Sequence, residues 1–120
     1  MVEAGADKRV LDPEILSAQT SGDRALEAEL FSLFEAQADL LWPAISGAAD
    51  PAVRSAASHS LRGGAAAIGA VDVMRLAGAI EEAEEGAPDT TSRVADLATA
   101  LAEIRVAIAA WRAAQAGARS

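Results

Sequence analysis

The sequence predicts an all-α chain, an antiparallel up-down-up-down four-helix bundle with a short additional N-terminal helix. Three observations predict it. Asp-Pro pairs open apolar segments, as an N-cap followed by a first-turn proline does. Apolar residues recur three and four positions apart. Val and Ile never alternate with polar residues over a run, so no strand is signalled. The 120 residues suffice for one domain, expected to span 1–120 with frayed ends at 1–11 and 116–120.

Asp12-Pro13-Glu14 supplies a cap, a proline and a first-turn acid, which start a short helix running to about Ala18. Thr20-Ser21-Gly22-Asp23 breaks it, and Ser21 or Asp23 can cap a second helix to about Ser46. Leu26, Leu30, Leu33, Phe34 and Leu41 form its expected buried stripe, and Pro43 should end or kink it near its end. Asp50-Pro51 repeats the opening signal for a third helix, which Gly69-Ala70 stops near Ile68. Asp72 is expected to open a fourth helix that ends near Glu85, before Gly86-Ala87-Pro88. Thr90, Thr91 or Ser92 caps a fifth, whose inward stripe is Val94, Leu97, Leu101, Ile104, Ile108 and Trp111. Short connections make successive helices antiparallel neighbours.

Composition excludes several functions. There are no cysteines, so disulfides, Cys-based zinc sites and thiol nucleophiles are ruled out, and the chain suits a reducing cytoplasm. A net charge of −8 argues against binding nucleic acid or an anionic membrane, both of which need a cationic face. The charge is uneven: residues 1–50 hold ten acids against three bases, whereas 51–78 hold Arg54, Arg62 and Arg75 against Asp72 alone. The one histidine, His59, lies in that locally positive stretch. No signal peptide is visible, and the apolar stretch around 61–80 is broken by Arg62, Asp72 and Arg75, too soon for a membrane span. One histidine and a solvated acidic run make a poor metal-ligand set, so no metal is expected. The Gly64 to Gly69 spacing imitates a phosphate loop, but Ala70-Val71 follow in place of Lys and Ser or Thr, and no strand precedes it. No ATP site is therefore expected.

A lone histidine on a helix is by default a solvated surface residue, so its neighbours decide its reading. At 100° per residue, Ala52, Ser55, Ala56, Arg62, Gly63 and Ala66 fall within about 60° of His59. Val53, Ala57, Leu61 and Ile68 occupy the opposite side, as a core stripe. The ring should face water from a clearing of small side chains with one cation at its rim. An exposed neutral imidazole is a phosphoryl acceptor near neutral pH, and bulky neighbours would keep it out of another protein's pocket. Gly63 leaves that clearance and Arg62 can contact the transferring oxygens. Gly64, about 140° from His59, is better explained by close helix packing.

The run from His59 through Leu61, Arg62, Gly63, Ala65 and Gly69 resembles the signature of the histidine phosphotransfer (HPt) family, H-x-L-K-G-[SA]-[SA]-x-x-x-G. Val73, Leu76, Ile80 and Glu81 continue in register with the stretch that follows the signature. Two positions depart from it. Arg62 stands where lysine is usual, keeping the charge with a planar fork. Gly64 stands where Ser or Ala is commoner, so a hydroxyl contact is missing.

The resemblance implies phosphorylation of His59 on Nε2 and exchange with response-regulator receiver domains or a hybrid histidine kinase. It implies a stoichiometric carrier without turnover of its own, with Mg²⁺ supplied by the receiver. Glu81 matches a position that can accept from Nδ1–H and so fix the tautomer, or else it is a solvated acid in the run Glu81, Glu82, Glu84, Glu85. The partner face is expected to comprise Ser55, Ala56, Arg62, Gly63 and Ala66, joined by exposed apolar residues of the second helix, on a monomer. The competing reading is a helical adaptor or dimerisation module that has lost the chemistry.

Overall fold

The computed structural model describes residues 7–47, 50–83 and 89–119, and among them every regular element is helical. In chain order these are α1 (Pro13–Thr20), α2 (Arg24–Ser46), α3 (Pro51–Ile68), α4 (Val71–Glu82) and α5 (Thr90–Arg119). Three aspartates cap as their sequence context requires. Asp12 accepts from the Glu14 N–H at 3.0 Å, Asp23 from Leu26 at 3.1 Å and Asp50 from Ala52 at 2.9 Å. α2 passes through Pro43 and stops at Gly47, whose N–H donates to the Pro43 carbonyl at 2.9 Å.

Cross-helix bonds give the relative directions. Ile45 pairs with Arg54 while Gln37 pairs with Ser60, so α2 and α3 are antiparallel. Arg105 bonds Asp39 at 2.6 Å and Arg112 bonds Glu35 at 2.9 Å, so α5 runs back along α2. Along α3 and α4, Ser55 lies against Glu81 while Arg62 lies against Gly78, again antiparallel. Each helix thus packs on its sequence neighbour, and α2 meets α5 to close the ring. The core between them is aliphatic, with Leu61, Ile68, Val73, Leu97, Ile104 and Ile108 fully buried. Phe31 meets the Trp111 ring edge-on, with 5.0 Å between centroids.

Several expectations need correction. The stripe of α2 is rotated by about one residue: Phe31, Phe34, Ala38 and Ile45 are buried, whereas Leu26 and Leu33 face out at 37% and 60% exposure. Large apolar residues lie on two adjoining faces of α2, so periodicity alone cannot choose between them. Leu30 and Leu41 pack at the edge of the core, while Phe31 and Ile45 join Phe34 inside it. Glu27 turns inward with them, because the Thr20 hydroxyl donates to it at 2.7 Å and Arg24 pairs with it at 2.8 Å. Val53, expected in the α3 stripe, is 47% exposed; it lies in the first turn of α3, ahead of the Ser55 contact with the last turn of α4.

α4 begins at Val71, before Asp72, and has no side-chain cap; the Asp72 N–H donates to the Arg9 carbonyl instead, at 2.6 Å. It closes at Glu82, short of Glu85, with Ala83 extended. A run of carboxylates at the negative end of the helix dipole opposes further extension. Gly86-Ala87-Pro88 lies outside the described residues. α5 starts at Thr90, so Thr91 and Ser92 are inside its first turn, and the Asp89 carbonyl accepts from the Arg93 N–H at 3.0 Å. α5 is helical through Ala116 to Arg119, with Gly117 inside its last turn. Residues 7–11 are held too, since the Arg9 bond to α4 is followed by an Asp12 N–H bond to the Gly69 carbonyl at 2.8 Å. That approach needs Gly69. It ends α3 at φ 80°, and a Cβ there would stand 2.6 Å from the Asp12 carbonyl oxygen. No described helix is long and apolar enough to cross a membrane.

Candidate functional site

The face of α3 that carries His59 is built by α4. Ser55, one turn before the histidine, donates its hydroxyl to the Glu81 carbonyl at 3.0 Å, which ties the last turn of α4 to α3. The Glu81 side chain then lies beside the imidazole. Its Oε2 is 2.7 Å from His59 Nδ1, while the histidine side chain remains 63% exposed. Arg62 completes the group, with Nε 3.2 Å from Glu81 Oε1 and Nη2 3.3 Å from His59 Nδ1.

Nδ1 cannot at once donate to the Glu81 carboxylate and accept from the Arg62 guanidinium. The shorter, charge-assisted contact decides the tautomer: Nδ1 carries the proton and donates it to Glu81. Arg62 then pairs with Glu81 and lies alongside the ring edge without bonding it. Oε1 of Glu81 has no well-directed hydrogen bond, so its charge is balanced by the Arg62 ion pair alone. Among the described residues both hydrogen-bonding contacts of this exposed ring fall on Nδ1, which leaves the Nε2 lone pair available.

The clearing around the ring is as open as the helical wheel requires. Ala52, Ala56, Gly63 and Ala66 are exposed, and Ser55 and Arg62 half-buried. A Cβ added at Gly63 would meet nothing within 4 Å. Gly64 differs: a Cβ there would run into the end of the Gln37 side chain, with its Cδ at 3.1 Å and Phe34 Cδ1 at 3.5 Å. Gly64 is thus a packing glycine, and Gln37, above it, donates to the Ser60 carbonyl at 3.2 Å.

Open grooves flank α3 on both sides. Towards α4 the lining includes Arg62, Gly63, Ala66, Met74 and Gly78; towards α2 it includes Leu30, Leu33, Gln37, Gly64 and Ala67. Two features here do not follow from helical periodicity. Leu33 was assigned to the core but lies on the surface, beside Leu40, which is 79% exposed. Gly78 went unremarked, although an isolated glycine inside a helical pattern is a signal in its own right. Among the described residues, no group of three or more His, Asp or Glu side chains could hold a metal ion.

In a comparison with known families, the model of the Hpt domain matches residues 24–107, from the start of α2 into α5. Searches of curated proteins and of solved structures found no match.

Proposed function

The chain belongs to the Hpt domain family, and from that premise we propose that it is a phosphocarrier whose acceptor is His59, exchanging a phosphoryl group with the aspartate of response-regulator receiver domains or taking it from a hybrid histidine kinase. Domains of this family pass phosphoryl groups through a histidine in phosphorelays, interact with response regulators and kinases, and are carriers without turnover. The observation that carries the reading onto this chain is an imidazole that is 63% exposed and bonded at Nδ1 to a carboxylate 2.7 Å away.

The transfer balances as follows. The Nε2 lone pair attacks phosphorus in line with the aspartyl oxygen. The P–O bond breaks, the receiver aspartate leaves as a carboxylate, and an N–P bond forms. The proton on Nδ1 stays in place, so the phosphorylated ring is cationic, and Glu81 beside it offsets that charge. Arg62 turns from Glu81 towards the phosphoryl oxygens as they arrive. The return transfer reverses each step. Mg²⁺ is held by the receiver and offsets charge on the phosphoryl group there.

The docking face is the clearing of Ser55, Ala56, Arg62, Gly63 and Ala66, continued by Leu30 and Leu33 across the α2 side. It is a small, transient contact suited to a carrier that must leave. A monomer in the cytoplasm fits this role. The test is to mix the chain with a phosphorylated receiver and follow labelled phosphate. His59→Gln should abolish uptake with helicity unchanged. Uptake by that variant would mean the acceptor lies elsewhere. A wild-type chain that takes no label from any receiver of its cell would favour an adaptor role.

A further inference from the structure

Gly78 sits on α4 just under one turn before Glu81 and faces α3. Its φ is not positive, so its backbone does not require glycine. Glycine inside a helix sacrifices stability relative to alanine. The structure offers a reason for keeping it. A Cβ at 78 would stand 3.2 Å from Cδ of Arg62, tighter than ordinary van der Waals contact. The Arg62 stem therefore lies across the gap in α4 that the missing side chain leaves.

That seat fixes where the guanidinium goes. From it, Nε reaches Glu81 Oε1 at 3.2 Å and Nη2 lies 3.3 Å from His59 Nδ1. Arg62 borders an open groove, yet its side chain is only 38% exposed. A long cationic side chain on a helix surface normally samples many rotamers in water. A methyl at 78 would push the Arg62 stem off α4 by a few tenths of an ångström, and the branched side chain of valine would push it further, which moves the guanidinium away from Glu81.

We propose that Gly78 is a positioning residue for phosphotransfer: the notch it leaves in α4 seats the Arg62 stem, so that the guanidinium waits beside the His59 ring. The proposal rests on the phosphocarrier reading. It concerns a residue of α4 that touches neither the imidazole nor the incoming phosphate and acts through Arg62 alone.

The test is a cycle in which Gly78→Val and Gly78→Ala are each made with Arg62 present and with Arg62→Ala. Transfer rates from a phosphorylated receiver are measured, and the ¹⁵N signal of the Arg62 Nε–H is recorded in the free chain. Circular dichroism checks folding, and Gly78→Ala, the better helix former, serves if the valine variant is unstable. Gly78→Val should slow transfer about tenfold when Arg62 is present, as a misplaced catalytic contact does. It should change the rate less than about twofold in the Arg62→Ala background, where no contact is left to misplace. The Arg62 Nε–H signal should shift towards that of a free arginine. Equal slowing in both backgrounds would mean that Gly78 clears space for the partner, and would overturn the proposal. So would an unchanged Nε–H signal in the folded variants, which needs no transfer to be seen. A wild-type chain that never takes label removes the phosphocarrier reading, and the positioning role falls with it.

Discussion

Gly63 and Gly64 adjoin in one helix, and the structure predicts opposite outcomes for the same substitution. Each glycine costs α3 about 1 kcal/mol relative to alanine. At position 63 a new methyl meets nothing within 4 Å, so Gly63→Ala should recover that amount in full. At position 64 the methyl runs into Gln37, whose Cδ would be 3.1 Å away. Gln37 must swing out and lose its 3.2 Å bond to the Ser60 carbonyl. A hydrogen bond of this kind contributes about 0.5–1.5 kcal/mol, while Phe34 Cδ1, at 3.5 Å from the new methyl, is in ordinary contact with it. The helix gain is largely cancelled, so Gly64→Ala should be about 1 kcal/mol less stable than Gly63→Ala. For a chain of this length the gap is about 4 °C in Tm.

Thermal unfolding followed by circular dichroism measures both variants. Adding Gln37→Ala isolates the cause: without the Gln37 side chain, Gly64→Ala should regain most of its helix benefit. Equal melting temperatures for Gly63→Ala and Gly64→Ala would refute the reasoning, as would a Gly64→Ala defect that persists once Gln37 is truncated.

Other consequences follow from the same geometry. Glu81→Ala removes a charge-assisted bond to Nδ1, a contact of about 1.5–3 kcal/mol, so label uptake by His59 should fall about tenfold to a hundredfold. Glu81→Gln keeps an acceptor and should fall less; single-turnover transfer rates order the two, and an Ala variant as fast as wild type would remove Glu81 from the site. Ser58 is fully buried and its hydroxyl has no partner among the described residues, so Ser58→Ala should raise stability by about 1 kcal/mol. A urea midpoint below that of wild type would count against this account.

Much of the architecture was legible in the chain because helix signals are local. Asp12, Asp23 and Asp50 each cap the helix their position announces, and Gly69 stops α3 where a left-handed residue is needed. The stripe of α5 was readable because Leu97, Leu101, Ile104 and Ile108 are large and apolar on one side, while the other side is not. α2 was misread because large apolar residues occupy two adjoining faces. Its orientation is settled by what lies across from it, namely Trp111 for Phe31 and Thr20 for Glu27.

The sequence by itself determined the helices, the outward azimuth of His59 and the small residues around it, since caps, breakers and a fixed rotation per residue act within one segment. Only the tertiary structure decided that Glu81 is an imidazole partner and not one more solvated acid. Only there do Arg62 and Gly78 meet, and only there does Leu33 fall outside the core. Each of these turns on the register of one helix against another. That register is set by side chains far apart in the chain filling a shared volume, which no single segment encodes.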